Sequence, residues 1–287
     1  MKEKLWRREF TIFCLLNFLS FMMHMLTTTM PSYLLHLGGD EVIAGLSTTV
    51  VSFSALIARP LGGWVLDHKG RKRITILATA VMACALWSYN FLSSISMILA
   101  MRLVQGFSWG ISDTAIATNA ADVIPQSRFA EGIGIYGGSC SLALALAPAI
   151  GLFIIDYFDY PHLFLAISIA VVVALFLMSQ VRYRQLPRTK VAAPFRLIDL
   201  IDRKAVKPCI VSVLYNIPYA VFLTFVAVYS EQKGISAGSF FTIMAVTVTI
   251  FRTLIGRSAD RYKPERLLYF SMPPLFLCPI LLVFAQT

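Results

Sequence analysis

The sequence predicts an all-α fold, a polytopic bundle of membrane helices, on three observations. Apolar residues fill 57% of the 287 positions and charged residues only 14%, with a mean hydropathy of +0.73; soluble domains sit near 45–50% and 25%. Several apolar runs reach the roughly 20 residues that cross a bilayer core. The charges lie mostly between those runs, with cations concentrated on alternate sides. Nine spans are predicted, at about 10–30, 42–65, 74–92, 96–118, 132–155, 162–181, 208–229, 237–257 and 267–285. They divide into an N-terminal six-helix domain (1–181), a basic amphipathic linker (182–207) and three helices of a second domain (208–287).

The net charge of +10 would suggest nucleic acid in a soluble protein, but its placement argues otherwise. With the N-terminus in the cytoplasm, 21 of the 25 Lys and Arg residues fall in cytoplasmic segments. Lys233 alone lies in an outer loop, and Arg59, Arg102 and Arg252 lie inside spans. The outer loops hold Asp40, Glu41, Asp156, Asp159 and Glu231 instead. This is the positive-inside pattern, so the partner implied is an anionic inner leaflet in a cytoplasmic membrane, and no nucleic acid.

Met1–Glu9 is short and charged, and no small-residue cleavage site follows, so span 1 is expected to be retained. Span 1 carries Asn17, Ser20, His24 and Thr28 at steps of three and four, within about 60° on one helix face. Such a stripe either cross-links helices by hydrogen bonds or lines a water-filled cavity, where His24 could carry a proton. An outer loop is expected at 31–41.

Span 2 runs into Arg59-Pro-Leu-Gly-Gly-Trp-Val-Leu-Asp-His-Lys-Gly-Arg-Lys-Arg73, read as a helix end followed by a tight turn with Asp67. The spacing of Arg59, Gly63, Asp67 and Arg73 recurs at Arg252, Gly256, Asp260 and Arg266. Internal copies of this kind mark repeat architecture, and transporter halves are built this way.

Span 4 is the most polar, with Arg102, Gln105, Asp113 and Asn119, and ends at Asp122. A charge inside a span needs a partner or water, which makes it a functional candidate. Arg102 and Asp113 are expected to point the same way about 16 Å apart, with Asp122 on roughly the opposite face of Arg102. In span 5, Gly132, Gly134, Gly137 and Gly138, then Pro148 and Gly151, allow close helix packing or bending.

The stretch 194–204 is expected to form a basic amphipathic helix on the inner membrane surface. Span 7 is broken by Asn216 and Pro218. All five cysteines lie in spans without a C-x-x-C pair and read as packing residues. There is no H-E-x-x-H or G-x-S-x-G motif, and the four histidines are scattered. No enzyme activity, metal or cofactor is expected.

These residues resemble the major facilitator superfamily. Gly63-x-x-x-Asp67-x-x-Gly70-Arg71-Lys72-Arg73 looks like its signature loop between helices 2 and 3, with His68 where that signature often has Arg. Arg102-x-x-Gln105-Gly106 resembles the family's second motif. Ala147-Pro148-x-x-Gly151 resembles the helix-5 motif of its antiporters. The stretch 122–138, with Pro125, Arg128, Glu131 and Gly132, looks like bacterial efflux-type members.

The resemblance implies secondary active transport by alternating access: a monomer exporting a small molecule, with proton coupling. Asn17, His24, Arg102, Gln105 and Asp113 would line the substrate and proton pathway. Gly63, Asp67, Gly70, Arg71 and Asp122, with Gly256, Asp260 and Arg261 in the repeat, would gate it. Gly134, Gly138, Pro148 and Gly151 would serve packing or bending of helix 5. Span 1 has no acid, so uptake of a sugar or an organic anion, attracted by Arg102, is the alternative. Family members have twelve helices and nine are expected here, as in a fragment or a truncated product without transport.

Overall fold

The computed structural model describes residues 4–181, 205–214 and 216–217, with scattered positions between 244 and 277. The linker, most of the predicted spans 7–9, and Gly256, Asp260 and Arg261 lie outside the described residues. Residues 8–180 form helices throughout, joined by short connections, and no strand occurs among the described residues.

The first span is two helices, α1 (Arg8–Phe21) and α2 (Met25–His36), joined by a 3-10 turn at Met22–His24. The loop expected at 31–41 is shorter, because α2 continues through Pro31 to His36. One interior proline removes a single hydrogen bond, a loss that membrane helices tolerate. α3 (Glu41–Lys69) begins at Asp40, whose side chain accepts from the Ile43 N–H at 2.8 Å. α3 also runs through the expected tight turn. Asp67 is still helical, and the break is at Gly70 with φ +95°, a conformation that disfavours any residue with a Cβ. α4 (Arg71–Ser88) starts at the next residue.

After α4 come α5 (Ile95–Val123), a 3-10 turn at Gln126–Arg128, α6 (Phe129–Tyr157) and α7 (Tyr160–Gln180). Asp159 caps α7 by accepting from the His162 N–H at 3.1 Å and ring at 2.5 Å. These bonds, the ring's first, hold its carboxyl below the usual range. Two acids read as outer-loop charges, Asp40 and Asp159, are thus N-caps of helices entering from the same side. Among the described residues, five segments are long and apolar enough to cross a membrane: Arg8–His36, Glu41–Leu66, Ile95–Val123, Gln126–Tyr157 and Tyr160–Gln180. α4 is shorter, at 18 residues, and opens on Arg71-Lys72-Arg73.

The most extensive helix contact is between α3 and α5, and glycines set its closeness. A Cβ on Gly106 would lie 2.3 Å from the Val51 carbonyl oxygen, and one on Gly110 2.6 Å from that of Ala55. Gly62 answers from the other side, where a Cβ would be 3.1 Å from the Ile111 Cα. Small residues four apart bring two backbones together in a way lipid-phase packing favours. Gly151 does the same for α6 against Met25, at 3.1 Å, whereas Gly63 and Gly138 face open space.

Polar side chains tie the remaining helices. Thr79 of α4 meets Ser112 of α5 at 2.6 Å. Asn119 donates to the Ala115 carbonyl and, at 3.4 Å, to Thr75. Cys14 is buried, while Cys84 and Cys209 are exposed; all are free thiols.

The α3–α5 contact gives a direct test. Gly110→Ala should destabilise the bundle by about 1–3 kcal/mol through overpacking, seen as a lower melting temperature in detergent. Gly63→Ala should be neutral or stabilise by up to ~1 kcal/mol, from helix propensity alone.

Candidate functional site

Three polar centres stand inside or at the end of the apolar bundle. The first is built on Arg102, which is 3% exposed. Its guanidinium donates to the Gln105 side-chain oxygen at 3.2 Å and to the Leu26 carbonyl of α2 at 3.0 Å. The same Gln105 oxygen accepts from the Tyr89 hydroxyl, just past the end of α4, at 2.7 Å. Gln105 is fully buried. One Arg and one Gln on a single helix face therefore join α5 to both α2 and the end of α4. With so little exposure, Arg102 holds helices together and has no surface on which to attract an anion in this conformation.

The second centre pairs Arg59 of α3 with Asp113 of α5, at 3.2 Å. Each lies ten residues before the end of its helix, about 15 Å along the axis. The parallel packing of α3 and α5 brings them to one level. The Arg59 guanidinium also lies over the Trp109 ring, 5.3 Å from its centroid, a favourable cation–π placement. On its other contacts Trp109 meets Phe21 at 5.8 Å and His24 at 5.6 Å, both edge-on. His24 stacks on Phe21, and its Nδ1 faces the Phe21 carbonyl at 3.0 Å.

The span 1 stripe is split by the 3-10 turn. Three residues at about 120° instead of about 100° each rotate the following side chains by about 60°. Asn17 turns to α6, donating to the Tyr136 carbonyl at 2.8 Å and to Ser139 at 3.0 Å. It is 1% exposed, a placement that fits the cross-linking reading. His24 turns to α5. The Thr28 side chain lies outside the described residues.

The third centre is at the basic end of the bundle, where α4 starts and α5 stops. Arg71, placed by the Gly70 turn, forms an ion pair with Asp122. The side chain of Asp67 lies outside the described residues, although its backbone is on α3 one turn before Gly70. Close by in sequence, Gly132 of α6 packs on Ile124, and Arg128 binds the buried Glu131 at 2.7 Å. Lys72 reaches the Ser179 carbonyl, and Arg8 reaches Gln180. α6 is continuous through Pro148, with Gly134 on the same helix.

Arg102 and Asp113 belong to separate networks, although both sit on one helix. Sequence reasoning missed Arg59 as the partner of Asp113, and with it Trp109, Tyr89 and Gly110. The Arg59 signal was present: an intramembrane cation as far from the end of its helix as Asp113 is from its own. Tyr89, at a span end beside Asn90, carried no signal.

The shared acceptor in the Arg102 network predicts an order of damage. Tyr89→Phe removes one donor and should cost about 0.5–1.5 kcal/mol. Gln105→Leu strands both a buried hydroxyl and a guanidinium N–H, and should cost more, about 3 kcal/mol. Detergent melts of the two variants check the order.

Residues 12–287 match the Major Facilitator Superfamily. A multi-drug resistance efflux pump PmrA homolog of Lactococcus lactis is 19% identical over 263 residues, 87% of this chain and 64% of that protein. The quinolone resistance protein NorA of Staphylococcus aureus is 23% identical over 210 residues, 71% of this chain and 53% of that protein. The chain thus spans between half and two thirds of these relatives. In fold it is similar to the human organic anion transporter MFSD10 (TETRAN), with a TM-score of 0.69 and 17% identity over 89% of this chain and 73% of the other. The all-helical bundle and the match over nearly the whole length agree: this multi-pass membrane chain belongs to the Major Facilitator Superfamily.

Proposed function

We propose that the protein is a secondary active transporter that exports a small molecule by alternating access, coupled to protons, and is not an enzyme. It acts as a monomer in the cell membrane, with its basic end against the anionic inner leaflet and its N-terminus in the cytoplasm. The observation that carries this reading is the Arg71–Asp122 pair across the ends of α4 and α5. Opposite charges on two helix ends hold one arrangement of those ends and release it when they separate. Asp67, one helical turn from the Gly70 joint, is the third member of this latch, with Gly63 and Gly70 shaping its approach. Gly256, Asp260 and Arg261 would repeat it in the second domain. The efflux name of one relative supports export as the direction.

Asp113 is the proton-carrying group in this reading. It is the one acid of α5 set well inside the bundle, and its partner Arg59 is half-exposed. His24 and Arg102 with Gln105 support the pathway from the side, through Trp109 and through helix positioning. Asn17 fixes α1 against α6, and Gly134, Gly138, Pro148 and Gly151 let α6 shift against α2.

The test is flux in proteoliposomes holding the protein expressed from its complete gene, with ethidium and 1-naphthoate as separate cationic and anionic probes and an imposed pH gradient. Asp122→Asn should lower flux at least tenfold, and exchanging the charges (Arg71→Asp with Asp122→Arg) should recover some of it. A swap no better than the single variants would reduce the pair to a topology signal. Asp113→Asn should leave a residual flux indifferent to uncoupler; unchanged gradient-driven flux in that variant would end the coupling proposal.

A further inference from the structure

Arg59 and Arg102 are both charges inside spans, but their surroundings differ in kind. Arg102 is enclosed and bonded to two neighbouring oxygens. Arg59 has a side chain 48% exposed, and Asp113 is its sole hydrogen-bond partner among the described residues, through one nitrogen. A guanidinium offers five N–H donors in a planar fork that suits two oxygens at once. A single 3.2 Å contact uses little of that capacity. The Trp109 ring, its centroid 5.3 Å from the guanidinium carbon, supports the group on one side.

The surface beside Arg59 is apolar. Leu56 and Phe53 follow Arg59 along α3 at steps of three, on an oblique row that turns about 60° per step away from Arg59, and both are more than half exposed. An apolar strip that ends on a cation, inside a membrane bundle, complements a molecule with an anionic head and an apolar body.

We propose that Arg59, and not Arg102, is the cation that contacts substrate, and that it takes the acidic group of an amphipathic organic anion whose body lies along Leu56 and Phe53. This rests on the secondary-transport reading above and names its substrate class. With anion and proton bound together the two cross in the same direction, so for such a substrate the proton gradient drives uptake, the alternative to export. The incoming carboxylate forms two bonds with the guanidinium and displaces Asp113. The freed Asp113 carboxylate then takes up a proton from bulk hydronium, leaving water, so one anion and one proton are held together and no other covalent bond changes. The groups that bear on Asp113 are Arg59 from α3, the buried Tyr136 hydroxyl from α6 and, beyond Trp109, His24 from the first span. α4 presents only the uncharged Thr79–Ser112 pair near this level.

The experiment is calorimetric titration of the purified, complete-gene protein with 1-naphthoate, in two buffers of different ionisation heat to count protons. Saturable binding with about one proton taken up per naphthoate is expected. Arg59→Gln should weaken binding at least tenfold and Arg59→Lys less. Asp113→Asn should bind naphthoate without proton uptake. Because Arg59→Gln alone leaves Asp113 unpaired, the neutral double variant Arg59→Gln/Asp113→Asn is measured too and should also lose naphthoate. Naphthoate affinity unchanged in the double variant, proton uptake surviving in Asp113→Asn, or saturable binding of tetraphenylphosphonium in place of naphthoate would each overturn the proposal. Gradient-driven ethidium flux in the same preparation separates the two levels. If flux persists while naphthoate fails to bind, the anion assignment is lost and the transport reading stands.

Discussion

A charge carried into hydrocarbon must find a partner or water, and the arrangement of this bundle follows from how its intramembrane charges do so. Arg102 is held by oxygens alone, one from a side chain and one from the backbone of α2, with its buried Nε left unpaired. That answer requires α2, α4 and α5 to stay in register, so the charge acts as a clamp. Arg59 is satisfied by a carboxylate and an aromatic face, which leaves some of its donors open. The same requirement thus produces one fixed site and one adaptable site on neighbouring helices. It depends in turn on the close approach of α3 and α5, since Gly106 and Gly110 let the backbones draw near enough for Arg59 to meet Asp113.

Much of the fold was legible because membrane spans obey few rules. Apolar length located the five segments of 8–180 that are long and apolar enough to cross a membrane, while α4, the helix at the expected third span, is not among them. The errors were local and physical. Pro31 reads as the start of a loop, yet a helix buried among other helices continues through it. Asp67 and two glycines read as a tight turn, yet Gly70 alone makes the break and α3 keeps Asp67 helical. Helix-terminating signals calibrated on water-exposed chains overstate their effect where backbone groups have no competing solvent.

The candidate site was legible residue by residue and less so as a set of contacts. Helical periodicity puts Asn17 and His24 on one face, but the 3-10 turn between them is invisible to a count at about 100° per residue. Arg102 and Asp113 align by the same count, but their partners come from other helices, and the depth of each partner is not written in α5. Arg71 and Asp122 are the opposite case. Both stand at helix ends fixed by charge and by Gly70, so the two termini leave them little choice of neighbour.

The joint at Gly70 has a mechanical consequence. α3 spans 29 residues, about 43 Å at roughly 1.5 Å each, and a single residue separates it from α4. A rod of that length pivoting by about 5° at its far end swings its tip by about 4 Å, on the scale of the reach of an ion pair. With no slack in the joint, the swing is delivered undamped to the first turn of α4. Tilt of α3 therefore reaches both charge pairs at once: the same angle that moves Arg59 by about 2 Å carries the full swing to Arg71 at the membrane surface.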